Sequence, residues 1–256
     1  MLNIHPISAF NDNYIWLIEQ PESRRILIVD PGDAIPVIQA IERQLFIPTA
    51  LLITHHHHDH IDGIDQLVER YNIPVYGPET TTPPSITHPL TTCDTLIVDS
   101  DFPAITILDI SGHTALHIAY LFDNCLFCGD TLFGAGCGRL LGGTAIQLFQ
   151  SLQQITFLPT QTKIYCAHEY TEANLRFAAI VEPNNLDIQQ RITDTSIIRQ
   201  QDKPSLPSTL ALELATNPFL RCEQTTVIQA VEQFSGKQLA TPIEVFTELR
   251  LWKDQF

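Results

Sequence analysis

Short apolar runs closed by turn residues set the rhythm of the first two-thirds of the chain. Asn13–Ile18 and Arg25–Val29 read as strands, and Asp30-Pro31-Gly32 ends the second with a turn signal. Asp33 is placed to cap a helix running through Leu45, with Pro36 tolerated in its first turn. A strand at 50–54, a helix at 62–71 and a short strand at Pro74–Tyr76 follow. Residues 78–94 are rich in Thr and Pro and read as loop. Strands are predicted at 95–99, 104–110, 117–122 and 125–128. Residues 129–143 hold six of the eleven glycines, the mark of a loop held close to something. Thr144–Ile155 is helical by pattern, and Lys163–Cys166 is a last strand. From Thr171 only helical patterns remain: 171–181, 185–200, 208–215, 225–234 and 241–251. Thr241-Pro242-Ile243-Glu244 has the form of a capping box with Pro at the first helical position. Two domains are therefore expected, a mixed one over residues 1–170 and an all-helical one over 171–256.

Composition narrows the class. With 256 residues and 44% hydrophobic, a real core can form. No apolar run approaches the ~20 residues that cross a bilayer, and Met1–His5 has no signal-peptide form. A soluble cytoplasmic protein is the expectation. The net charge is −15, with no basic stripe of the kind a nucleic-acid binder carries. The charge is uneven. Residues 1–170 have 6 Lys/Arg against 18 Asp/Glu, or −12, and residues 171–256 have 8 against 11, or −3. Local basic patches are expected in the later part. The six cysteines show no secreted-type framework, and Cys125-Leu126-Phe127-Cys128 lies in an apolar run, so buried reduced thiols are the reading.

The densest chemistry is Thr54-His55-His56-His57-His58-Asp59-His60, with five of the ten histidines. On an extended segment, residues i and i+2 face the same way, so His55 and His57 can grip one ion together. Asp59 and His60 come after a turn and can reach a second. Two ions need about seven ligands. Further candidates recur at strand ends: His113 after 104–110, Asp130 after 125–128 and His168 after 163–166. Several strands would then deliver ligands to one edge of a sandwich.

The Thr-His-x-His-x-Asp-His cluster, Gly112-His113-Thr114, Gly129-Asp130-Thr131 and Ala167-His168 resemble the metallo-β-lactamase fold superfamily. Within it the chain resembles the glyoxalase II (hydroxyacylglutathione hydrolase) family. That resemblance rests on Gly129–Phe133, Ala135–Gly138, His168–Thr171, Pro207–Leu210, Asn217–Phe219 and the terminal Lys253–Phe256. It implies an αββα sandwich followed by a helical domain. His55, His57 and His113 would hold one ion, Asp59, His60 and His168 the other, and Asp130 would bridge both. His56, pointing away, and His58, at a variable position, would not be ligands; nor would His5, His88 and His117. The resemblance also implies carboxylate-binding cations at Arg139, Arg250 and Lys253, and a tyrosine at Tyr170 that bonds the tripeptide backbone.

Two divalent ions can share a water, lower its pKa and take up the charge of a tetrahedral intermediate. A thioester suits such a site, because its thiolate leaves without strong protonation. Asp59 would ligate metal and orient the bridging hydroxide. No Gly-x-Ser-x-Gly elbow offers a serine nucleophile. The substrate implied by the resemblance is S-(2-hydroxyacyl)glutathione, chiefly the D-lactoyl thioester, cleaved to D-lactate and glutathione in the second step of methylglyoxal detoxification. Zn is the expected metal, with Fe and Mn compatible with His/Asp ligation, and a monomer is the expected assembly. An alternative in the same superfamily is a single-iron persulfide dioxygenase; the C-terminal helical part favours the hydrolase. Three positions depart from the family pattern: Arg139 where Lys is common, Leu141 where some members have Tyr, and Ala115-Leu116 where Gly precedes the next histidine. The last bears on the turn, since Gly permits positive φ and Leu does not readily.

Overall fold

The computed structural model describes residues 2–79, 86–91 and 95–256. The chain divides into two compact units, Met1–Asp109 with Leu116–Gly129, and Ile110–Ala115 with Asp130–Phe256.

The first unit runs β1 (Asn3–Ala9), β2 (Asn13–Gln20), β3 (Arg25–Val29), α1 (Ala34–Gln44), β4 (Ile47–Leu52), α2 (His58–Ile61), α3 (Ile64–Tyr71), β5 (Val75–Pro78), β6 (His88–Leu90), β7 (Thr95–Leu96), β8 (Ile105–Asp109), β9 (Ile118–Phe122) and β10 (Cys125–Gly129). Strands β1 to β6 form one sheet in chain order. β1–β3 is an antiparallel meander, whereas β3 to β6 are parallel. Parallel neighbours need crossovers, and α1 and α3 supply two of them. Val37, Ile41, Ile64 and Leu67 of these helices pack into one core with Leu17, Ile28 and Leu51. Buried almost throughout, β2 and β3 read as apolar runs rather than alternations. Asp33 caps α1 by accepting from Ile35 N, and Leu45 closes it in the left-handed conformation. β7–β10 form an antiparallel meander. From it the buried Tyr120 hydroxyl donates to Ile53 O at 2.7 Å, tying β9 to the end of β4.

The second unit continues with β11 (Leu132–Phe133), β12 (Gly136–Cys137), α4 (Ala145–Thr156), β13 (Lys163–Cys166), α5 (Thr171–Val181), α6 (Leu186–Arg199), β14 (Ser208–Thr209), α7 (Leu210–Thr216), a 3-10 turn at Pro218–Leu220, α8 (Thr225–Ser235) and α9 (Pro242–Gln255). Capping boxes start α4 and α9. A buried ion pair, Arg191 Nη2 to Glu213 Oε1 at 2.6 Å, joins α6 to α7. The other Glu213 oxygen accepts from Ala135 N at 2.9 Å, and Asn217 Nδ2 donates to Phe133 O and Gly136 O at 3.2 and 2.9 Å. The helices thus hold the β11–β12 hairpin by its own backbone groups.

The structure departs from the sequence reading in four places. β1, unassigned by pattern, is an edge strand with Pro6, and its half-exposed side chains weaken the alternation signal. Residues 78–94, expected as loop, include β6; 80–85 and 92–94 lie outside the described residues. Asp59 and His60 sit on the one-turn α2 rather than past a turn, so the helix expected at 62–71 starts at Ile64. Ser208–Thr209, expected as helical, pairs antiparallel with β13, and Thr209 then caps α7. The thiol reading holds for Cys128, Cys137, Cys166 and Cys222, which are buried and unbridged; Cys125 is half-buried, and Cys93 is not described. Burial pushes the Cys137 thiol up to about 11, which makes it unreactive.

Candidate metal centre

Strand ends and one short helix position the candidate ligands of the first unit. β4 delivers the chain to Thr54 and His55, and His57 is the N-cap of α2, which carries Asp59 and His60. His55 Nε2 lies 3.0 Å from His57 Nδ1, and His60 Nε2 lies 3.5 Å from Asp59 Oδ2. His55 and His60 are fully buried. His56 and His58 are exposed, and His58 pairs instead with Asp62 on the surface at 3.0 Å.

Asp30, in sequence the first residue of the Asp30-Pro31-Gly32 turn signal, organises this half. Its backbone is left-handed, at φ 51°. One carboxylate oxygen accepts from Thr54 N at 2.7 Å; the other accepts from Thr54 Oγ1 at 2.7 Å and from His60 Nδ1 at 3.1 Å. A carboxylate only accepts, so His60 carries its proton on Nδ1 and presents Nε2 as its candidate ligand nitrogen. Thr54 gives its own proton to Asp30, so its oxygen accepts from His55 Nδ1 at 3.1 Å. By the same logic Nε2 of His55 is its candidate ligand nitrogen. Asp30, His55 and His60 bring ligand atoms within 4.8 Å of one another. His117 is buried and stacks on His55 with ring centroids 4.6 Å apart, which locks that ring. Asn13 Nδ2 donates to Asp59 Oδ2 at 2.9 Å. The signal that could have found Asp30 was present: an aspartate directly after an apolar strand, the rule that found Asp130.

In the second unit His113, Asp130 and His168 converge. Asp130 Oδ2 lies 3.5 Å from His113 Nε2, and Asp130 Oδ1 lies 3.3 Å from His168 Nε2. Each oxygen faces a different histidine, the geometry a bridging carboxylate needs. His113 Nδ1 donates to Arg139 O at 2.8 Å, which again leaves Nε2 as the candidate ligand nitrogen. Leu141 N donates back to His113 O at 2.8 Å, so the 139–141 backbone clasps this ligand from both sides. Two glycines make room. A Cβ on Gly138 would lie 2.1 Å from Asp130 O, and one on Gly112, at φ 141°, would lie 2.3 Å from the Leu148 backbone. His168 stacks on Tyr170 at 4.7 Å, and Phe133 closes edge-on against both.

The candidate substrate residues also gather in this unit. Arg250 is 3% exposed and donates to Cys137 O at 3.0 Å. Asp254 Oδ1 accepts from Arg250 Nη2 at 3.0 Å and lies 3.7 Å from Arg139 Nε. Lys253 Nζ sits over the rings of Phe177 and Phe256, 5.2 and 5.0 Å from their centroids. Burial, then the charges of Arg250, Arg176 and Arg139, lower its pKa to about 8. Leu141 is exposed, and neither Ala115 nor Leu116 has positive φ, so the chain turns here without glycine's freedom.

The model of the metallo-beta-lactamase superfamily matches residues 10–168, and the model of the hydroxyacylglutathione hydrolase C-terminus matches residues 169–256. A hydroxyacylglutathione hydrolase of Nitrosomonas europaea is 49% identical over all of this chain and 97% of its own length. The chain belongs to the hydroxyacylglutathione hydrolase family. Another member, from Shewanella baltica, is 47% identical with both chains fully covered. The solved structure of TTHA1623 in a di-iron-bound form is 25% identical and superposes with a TM-score of 0.60 over 84% of this chain and all of its own. The fold is therefore the metallo-β-lactamase type, extended by the family's helical C-terminus. The His/Asp donor set of each half fits divalent metal ions: imidazole nitrogens and carboxylates, with the outer nitrogens of His55, His60 and His113 already held. Among the described residues, no helix is long and apolar enough to cross a membrane.

Proposed function

We propose that the chain hydrolyses S-(2-hydroxyacyl)glutathione thioesters, chiefly S-D-lactoylglutathione, to a 2-hydroxy acid and glutathione. The observation that carries this reading is Asp130, whose two oxygens face His113 and His168 separately, in a chain that belongs end to end to this hydrolase family. In this reading His55, His57 and His113 would hold one divalent ion, Asp59, His60 and His168 would hold a second, and Asp130 would serve both. The ions, when bound, supply a water of lowered pKa and an electrophile for the thioester carbonyl.

The remaining work belongs to the chain. Asp30 aims Nε2 of His60 directly and that of His55 through Thr54. Asn13 holds Asp59, which in turn orients the attacking water. Arg139, Tyr170, Arg250 and Lys253 grip the peptide of the substrate. Arg250 does so chiefly by fixing the 137–138 backbone that leads to Arg139. A protein at −15 repels an anionic thioester at long range, so these local cations are what retain it. Residues 1–170 form the catalytic part and 171–256 the substrate-binding part. Zn is the metal most compatible with the ligands, and the di-iron form of TTHA1623 makes Fe the first alternative. The enzyme works in the cytoplasm as a monomer.

Metal quantification on protein purified without added metal, paired with hydrolysis of lactoylglutathione, tests this. About two ions per chain with turnover is the expected result. Oxygen consumption with a glutathione persulfide, without thioester cleavage, would overturn it in favour of a dioxygenase.

A further inference from the structure

β13 and β14 pair antiparallel, with Ser208 opposite Ile164, so the residues before β14 run back beside those after β13. The first are the end of the connector from α6, Lys203-Pro204-Ser205-Leu206-Pro207. The second are His168-Glu169-Tyr170-Thr171, at the entrance to α5. Proline has no N–H, so Pro204 and Pro207 offer no backbone donor here. Ser205 supplies one. Its N donates to Glu169 Oε2 at 2.8 Å, and its Oγ donates to Glu169 Oε1 at 2.5 Å. The Arg199 guanidinium stands 3.6 Å from Oε2. The Glu169 side chain is 7% exposed, and a carboxylate so deeply buried is costly unless its oxygens are served. The Ser205 hydroxyl has one proton, and a carboxylate only accepts, so that proton goes to Glu169. The Thr171 hydroxyl, 2.8 Å away, then supplies the second bond.

Ser205 thus grips residues 169 and 171, the two neighbours of Tyr170. The rings of His168 and Tyr170 stack at 4.7 Å and 4°, and His168 Nε2 stands 3.3 Å from Asp130 Oδ1. Tyr170 is the N-cap of α5 but makes no side-chain cap bond, so this turn is fixed from outside itself. Thr171 also sets the opposite wall. A Cβ on Gly134 would collide with Thr171 Oγ1, so the β11–β12 hairpin lies directly against the hydroxyl that Ser205 orients. Phe133, one residue earlier, closes edge-on against both rings. We propose that Glu169 and Ser205 are positioning residues, which hold the His168–Tyr170 stack through its backbone on one side and through Thr171 and the hairpin on the other, and so fix where His168 Nε2 points. That His168 ligates metal and Tyr170 meets substrate rests on the hydrolase reading.

The test is Ser205→Ala in the full chain, with Ser205→Thr as the rescue and Glu169→Gln as a second variant of nearly unchanged volume. Arg221→Gln, which breaks the pair with the buried Glu182 elsewhere in the same unit, is the structural control. Zinc affinity is measured by competition with a chromophoric chelator, and ligand geometry by the visible spectrum of the cobalt(II)-substituted protein. Ser205→Ala and Glu169→Gln are expected to weaken the binding of one zinc per chain about tenfold and to change the cobalt band intensity, the lower end of what loss of an outer-shell partner does. With lactoylglutathione their kcat falls and KM rises together, because both rings are loosened. Ser205→Thr restores all four readings. Arg221→Gln lowers Tm and leaves zinc affinity and the cobalt spectrum as in the wild type. Wild-type zinc affinity and cobalt spectrum in Ser205→Ala and Glu169→Gln, or an equal change in Arg221→Gln, overturns the proposal, and a hydrolysing wild type then leaves the hydrolase reading standing. If zinc binding weakens as expected while even the wild type cleaves no thioester, the positioning role stands and the hydrolase reading falls.

Discussion

On the proposed function, Lys253 is expected to make substrate affinity pH-dependent in a range where most lysines are inert. Its Nζ lies between two phenyl rings on α9, facing Phe177 of α5 and Phe256 of its own terminus. The charged groups around it are Arg250 on α9, Arg176 on α5 and Arg139 beyond β12, with the Cys137 thiol acting weakly the other way; Asp254 follows it in sequence. Burial comes first and the three arginines next, and together they lower its pKa to about 8. Only the protonated amine pairs with a carboxylate. The charged fraction falls from about nine-tenths near pH 7 to about one-tenth near pH 9. If that charge is needed for binding, KM for lactoylglutathione rises about tenfold across the same interval, with the bend near pH 8 and no matching fall in kcat. The sign is fixed: affinity is full below the lowered pKa and is lost as pH rises through it. A bound carboxylate raises the pKa again, so the bend in kcat/KM, which reports free enzyme, is the one to read. Steady-state kinetics at constant ionic strength measure it. Lys253→Arg keeps its charge throughout and shows only what the substrate's own ionisations contribute. A flat KM from pH 7 to 9, or the same bend in Lys253→Arg, would refute the reasoning.

Other perturbations test other links. Asp130→Ala removes the carboxylate that faces both His113 and His168; metal content falls and turnover drops by about a hundredfold or more, and near-normal activity would refute the bridging role. Glu213→Ala strands the buried Arg191 guanidinium and frees Ala135 N, so stability falls by about 3–5 kcal/mol in urea denaturation; a loss below about 1 kcal/mol would contradict the buried-pair argument. Leu141→Tyr gives an exposed position a hydroxyl beside the Arg139 backbone and lowers KM about fivefold; an unchanged or raised KM means that this side chain does not reach the peptide.

Much of this molecule is legible in its sequence, because much of it is governed by local rules. Period-2 and period-3.6 patterns depend on near neighbours, and they found α1 with its Asp33 cap, α5 to the residue, and the Thr241 capping box. The strand-end rule picked out the candidate ligands, since a strand that stops at a sheet edge leaves its next side chain there. The rule failed for Asp30 only because Asp-Pro-Gly is also a turn signal. β1 and β14 escaped because edge and two-residue strands are made by pairing, with Glu19 through Asn13 in one case and with Lys163 and Ile164 in the other, and pairing leaves little trace in local composition.

By itself the sequence determined the family, the candidate ligand types and the segments that carry them. Tertiary structure decided which atom each residue offers. Asp30 fixes the His60 tautomer from 30 residues away, and the Arg139 carbonyl fixes that of His113 from 26. Likewise, Arg250 reaches Cys137 across 113 residues and is largely used up there. The division follows from the range of the forces. Periodicity, caps and motif spacing are set by covalent neighbours, whereas a proton's position or a charge's partner is set by whatever the folded chain packs within about 4 Å of it.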